Sequence, residues 1–136
     1  MLYFYKKNMI SKTIFTKKIF IIFLINSVLS LIISMRYFDF VDKARGIGIN
    51  VPIIPGIKPI AVHRHLQILP QVFRLDLPEE LIKSVDSCKE SKDVRIVGIE
   101  WAIKQSKELI SKGVPVVHFY SMGKSDNIKA IAKEIF

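Results

Sequence analysis

The stretch IEWAIKQSKELISKGVPVVHFYSM, residues 99–122, contains a change of hydrophobic period that decides the fold class. Up to Lys112 the pattern is helical, with Ile96, Ile99, Ile103 and Ile110 recurring at helix spacing. Lys112-Gly113 then supplies a cation and a C-cap glycine, the usual punctuation of a helix end. Val114–Tyr120, VPVVHFY, follows as a short apolar run and reads as a buried strand. Working outward, the helix is expected to begin near Asp93, with Ser91 or Asp93 as its cap. Downstream, Ser125 and Asp126 offer a cap for a last helix with Ile128, Ile131, Ala132 and Ile135 on one face.

The same texture extends upstream to Tyr37. A helix is expected from Phe38 to Arg45, stopped by Gly46 and Gly48. Val51-Pro52-Ile53-Ile54-Pro55-Gly56 reads as a second buried strand ended by a turn. Helical texture resumes from Val62 to Val72, broken or bent at Pro70. Asp76 precedes Leu77-Pro78-Glu79-Glu80 as an N-cap with acids in the first turn, opening a helix that reaches Cys88. Helix, strand, helices, strand, helix implies an α/β domain with a parallel sheet covered by helices.

Residues 1–36 are different in kind. The chain has 21 Lys+Arg against 12 Asp+Glu, a net charge of +9. Lys6, Lys7, Lys12, Lys17, Lys18 and Arg36 account for six of those charges, and the segment has no acid. The remaining 15 bases and 12 acids are an ordinary balance for a globular domain, so the basic pI is no argument for nucleic-acid binding. Ile19–Met35, IFIIFLINSVLSLIISM, is nearly continuously apolar and just long enough to cross a bilayer as a helix. Lys12, Lys17 and Lys18 precede it in the manner of a signal anchor. The same vocabulary of Phe, Lys, Ile, Asn, Tyr and Leu also arises when A+T-rich DNA is read out of frame. Both readings stay open here: a membrane anchor through 19–35, or translated sequence outside the domain.

Cys88 is the one cysteine, so an intrachain disulfide and a cysteine-based zinc site are excluded; it reads as a reduced, inert thiol on a helix. His63 and His65 have H-x-H spacing but no third ligand candidate, and no metal site is expected. His118 falls among apolar residues and reads as a packed structural histidine. Trp101 reads as helix packing surface.

Three blocks together resemble one family. YFDFVDKARGIGINVPIIPGIKPI (37–60), LDLPEELI (75–82) and the stretch quoted first are similar to passages of methylenetetrahydrofolate reductases. The resemblance covers residues 37–136. It implies that they are the carboxy-terminal portion of a TIM (β/α)8 barrel, about strands seven and eight with flanking helices; the apolar run 19–35 adds an expected amino-terminal helix before it. It also implies a flavoprotein oxidoreductase of one-carbon metabolism and methionine biosynthesis. Such an enzyme reduces 5,10-methylenetetrahydrofolate to 5-methyltetrahydrofolate with NAD(P)H through FAD.

In such a barrel the chemistry sits at the carboxy ends of the strands, here Pro55–Ala61 and Ser121–Ser125. The resemblance puts two residues at substrate positions. Lys124 stands where the family carries an arginine that approaches the folate, and Gly123 where it usually has asparagine. His65 stands where many bacterial members have glutamine. The family's catalytic glutamate, its flavin-binding residues and its T-Q-x-F-x-D motif have no counterpart, so no catalytic or cofactor-binding residue is expected in this chain. The chain alone is expected to bind no FAD and to be inactive. Its expected partners are a separate amino-terminal barrel piece or a second copy of itself, and its expected location is the cytoplasm. The alternatives are a membrane-anchored small interaction protein and an unrelated small α/β protein.

Overall fold

The computed structural model describes residues 2–5, 34–73, 76–121 and 125–136. Its elements run β1 (Leu2–Tyr5), α1 (Ser34–Gly46), β2 (Gly56–Ile57), α2 (His65–Phe73), α3 (Glu79–Asp86), α4 (Ser91–Ser111), β3 (Val116–Phe119) and α5 (Asp126–Ile135). The sheet order is β1-β3-β2. β2 lies parallel to β3, with Gly56 opposite His118 and Ile57 opposite Phe119. Parallel strands joined through helices are what the alternation of periods requires.

β1 departs from the all-parallel expectation. It pairs antiparallel to β3, from Leu2 opposite Phe119 to Tyr5 opposite Val116. Leu-Tyr-Phe-Tyr has high strand propensity, and its pairing satisfies backbone groups along the edge of β3 that β2 leaves free. The apolar run 19–35 lies outside the described residues except at its end, where Ser34 and Met35 open α1. Among the described residues, no helix is long and apolar enough to cross a membrane.

Helix ends follow the glycines. Gly113 has φ +87°, its N–H donates to Ile110 O (3.0 Å), and the Val114 N–H donates to Leu109 O (3.0 Å). This is the Schellman pattern, and both Val114 and Leu109 are core residues, as that motif's hydrophobic contact demands. Gly48, at φ +84°, repeats it at the end of α1: its N–H reaches Arg45 O and the Ile49 N–H reaches Ala44 O.

Other boundaries moved for identifiable reasons. β2 begins at Gly56 rather than Val51, because Pro52 and Pro55 have no N–H for a ladder. The Pro55 carbonyl still accepts from His118 N, and the Ile57 carbonyl from Tyr120 N, both at 2.9 Å. α2 starts at His65, after a tight turn in which the His65 and Leu66 N–H groups reach Val62 O and His63 O; it continues through Pro70 to Phe73. Pro78, not Asp76, is the N-cap of α3, which ends at Asp86 before reaching Cys88. Glu90 caps α4 by position, and neither Ser91 nor Asp93 makes a capping bond.

The core has two parts. Helices α1, α4 and α5 cover one face of the sheet, burying Tyr37, Ile57, Ala102, Leu109, Val114, Val117, Phe119, Ile128 and Ile131 together. The Tyr37 hydroxyl donates to Ile53 O at 2.8 Å and ties α1 to the approach of β2. A second cluster holds Ile60, Leu69, Leu81, Val85 and Val94, with Trp101 packed against it. The fully buried stripe of α4 is Val94, Gly98, Ala102, Ser106 and Leu109; Ile99, Ile103 and Ile110 pack against the core half-buried, and Ile96 is exposed. Small residues let the α4 backbone approach closely. A Cβ on Gly98 would stand 1.9 Å from the Ile60 carbonyl oxygen.

Candidate functional site

A cavity of about 200 Å³ opens at the carboxy ends of the two parallel strands. Lys58, Pro59, Ala61 and Val62 line it from the segment after β2, and His65 from the first residue of α2. Tyr120 and Ser121 contribute from just beyond β3, Arg95 from the first turns of α4, and Asp126, Asn127 and Ile128 from the start of α5. The register explains the grouping. Ile57 and Phe119 point into the helix-covered core, so the next residues along each strand, Lys58 and Tyr120, belong to the opposite face. Gly56 shares that face and leaves room for the Tyr120 ring, whose Cε2 would lie 2.7 Å from a Cβ there.

The backbone fixes the state of His65. Its Nδ1 accepts from the Ala61 N–H at 3.2 Å, so the neutral ring carries its proton on Nε2 and has a donor to offer. Burial first, and the Lys58 charge second, hold its pKa below the usual histidine value. Lys58 is itself buried, and desolvation lowers its pKa. His118, inside β3 with its ring edge-on to Tyr120 at 4.6 Å, is also held low by burial.

These shifts give a testable pH dependence. A histidine whose folded pKa lies below its unfolded value binds fewer protons when folded, so its neutral form favours the native state. Stability is therefore expected to be steady above about pH 6.5 and to fall as pH drops through the window below it. Urea midpoints measured across that window should show the slope, and His118→Gln should flatten it. An unchanged slope in that variant would show that buried His118 is not a source of the acid sensitivity.

Of the residues expected at the substrate mouth, His65 lines the cavity, whereas Lys124 and Gly123 lie outside the described residues. The two histidines of the H-x-H pair diverge: the His63 ring bonds the Cys88 carbonyl at 3.1 Å, away from the cavity-facing His65. Cys88 lies beyond the end of α3 rather than within it, and its thiol donates to Ser84 O. Trp101 packs where expected, with Lys104 Nζ 4.9 Å from its ring centroid. Lys58, Arg95, Tyr120 and Asn127 were not anticipated. The available signal was Lys58, a lone charge inside the otherwise apolar run 51–62.

The family resemblance implies FAD. The cavity is smaller than the roughly 300–1,000 Å³ of sites that enclose drug-sized ligands. Gly46 and Gly48 close a helix and Gly56 lies within β2, so none opens a helix as a diphosphate cradle does. This cavity, by its volume, does not enclose FAD.

A pocket outside the carboxy ends of parallel strands, walled by the loops leading into helices, is the arrangement of α/β enzymes. The family model described as methylenetetrahydrofolate reductase matches residues 30–135. Relatives include a probable methylenetetrahydrofolate reductase (NADPH) of Caenorhabditis elegans, 32% identical over 98 residues, covering 71% of this chain and 15% of that protein. Methylenetetrahydrofolate reductase (NADH) 1 of Arabidopsis thaliana is 29% identical over 99 residues, covering 68% and 17%. The 5,10-methylenetetrahydrofolate reductase of Buchnera aphidicola subsp. Schizaphis graminum is 31% identical over 96 residues, covering 70% and 33%. The chain belongs to the methylenetetrahydrofolate reductase family. It spans between 15% and 33% of the length of these relatives.

Proposed function

We propose that the chain serves the reduction of 5,10-methylenetetrahydrofolate to 5-methyltetrahydrofolate, with NAD(P)H as reductant and FAD as carrier. In this reading it supplies the seventh and eighth strands of a β/α barrel, β2 and β3, and the folate-facing wall at their carboxy ends. The observation that carries it is the cavity beyond β2 and β3, which lies within the residues matched by the family. His65 would hold the substrate through its Nε2 proton, kept neutral by burial so that it donates without adding charge. Lys124 would bring a cation to the loop after β3. An ammonium there attracts a carboxylate but lacks the planar fork with which arginine grips one.

The flavin, which this cavity is too small to enclose, would be held by other protein. β2 is the outer strand on its side of the sheet, an edge that a further parallel strand could extend. A separate amino-terminal barrel piece is one supplier of that strand; a second copy of the chain is another.

Complementation tests this directly in a methionine auxotroph lacking the reductase. The chain alone is expected not to restore growth. Co-expression with the preceding portion of the Buchnera relative is expected to restore it. Accumulation of both pieces without growth would overturn the proposal, and growth with the chain alone would overturn the shared barrel.

A further inference from the structure

The most demanding group in the cavity is Lys58. The side chain is only 8% exposed. No ion pair or hydrogen bond joins it to any described residue. The residue is largely enclosed while its ammonium keeps access to solvent, and a partly desolvated charge is stabilised by a counter-ion. The wall holds one carboxylate, Asp126, which forms no ion pair with Lys58 or Arg95 among the described residues.

Apart from Asp126, the charged side chains lining the cavity are cationic. Arg95, an exposed residue, lines the cavity from α4, and His65 presents Nε2–H. The cavity also meets the amino terminus of the ten-residue helix α5, which Ser125 leaves without a side-chain cap. Among the described residues, the ladder of α5 starts with the bond from Lys129 N to Ser125 O. The positive end of the helix dipole favours an anion. The Asp126 carboxylate opposes it from the rim, where it is exposed to solvent.

We propose that this cavity is an oxyanion subsite, in which Lys58 is the principal counter-charge for a carboxylate or phosphate group, assisted by Arg95 and the first turn of α5. The volume of about 200 Å³ admits such a group and a short stem. The site follows from the cavity and its charges, and does not require the folate reading. A dicarboxylate preference would deepen that reading, because the glutamate portion of a folate ends in carboxylates.

The test is calorimetric titration of the full 136-residue chain with glutarate and, separately, with inorganic phosphate at low ionic strength. Binding of at least one anion is expected, weakening as salt rises. Lys58→Met should weaken it by about tenfold or more, and Lys58→Arg should restore most of it. Removing a partly desolvated charge leaves a chain of similar length in place, so Lys58→Met should fold.

A second measurement uses the unaltered chain. Either anion should slow acylation of Lys58 by an amine-directed reagent, read by mass spectrometry, without slowing acylation at Lys6 or Lys12. Phosphate binding without glutarate binding would keep the oxyanion site while removing its support for a folate tail. Equal anion affinity in Lys58→Met, or unaltered acylation of Lys58 in the presence of both anions, would overturn the proposal.

Discussion

Phe119→Ala is expected to lower the unfolding free energy by about 3–5 kcal/mol, as deletion of a fully buried aromatic ring does. Phe119 is 1% exposed and lies in the cluster shared with Ile57, Ala102, Leu109 and Ile128. It shares that cluster with residues of β2 and of the helices above the sheet. Domains are stable by only about 5–15 kcal/mol, so the variant should populate the unfolded state appreciably. Urea unfolding followed by circular dichroism measures the change. A loss of less than about 1 kcal/mol would mean that Phe119 is not at the centre of the core.

Gly98→Ala is expected to be nearly as damaging, for the opposite reason. Its Cβ would arrive 1.9 Å from the Ile60 carbonyl oxygen and 2.7 Å from the carbonyl carbon. Those are backbone atoms and cannot rotate aside, so α4 or the segment after β2 must shift. Overpacking of this sort costs about 1–3 kcal/mol where side chains can yield, and a backbone neighbour should place the cost at or above the top of that range. Gly46→Ala is the control: nothing lies within 4 Å of a Cβ at that position, and it should be neutral to within about 0.5 kcal/mol. Equal thermal midpoints for the two variants would show that the close approach of α4 to Ile60 is absent in solution.

Much of the fold could be read in one dimension because its punctuation is local. Gly48 and Gly113 end their helices by adopting a left-handed conformation that a single residue type favours, and the strands beside them are apolar runs. The buried face of α4 could not be read the same way. Periodicity gives weight to large residues, yet this helix turns Gly98, Ala102 and Ser106 inward and leaves Ile96 exposed, because closeness to its neighbours mattered more than volume. The prolines before β2 shortened a strand that hydrophobicity alone would have drawn longer.

The site was less legible still. His65 could be placed by family likeness, but Lys58, Arg95, Tyr120 and Asn127 come from four separate segments. Their meeting is a product of register and helix packing. No spacing rule along the chain announces it. A lysine flanked by apolar residues reads by default as a side chain reaching for water.

The division of the core into two clusters has a thermodynamic consequence for the cavity. Ile60, in the second cluster, lies between cavity-lining residues 59 and 61, while Ile128 both belongs to the first cluster and lines the cavity. The pocket is therefore a seam between two regions with separate apolar cores, which can open with separate free energies. An occupant that touches both sides binds only when both are closed. It would therefore act as a cross-link, making cooperative what the packing alone leaves divisible.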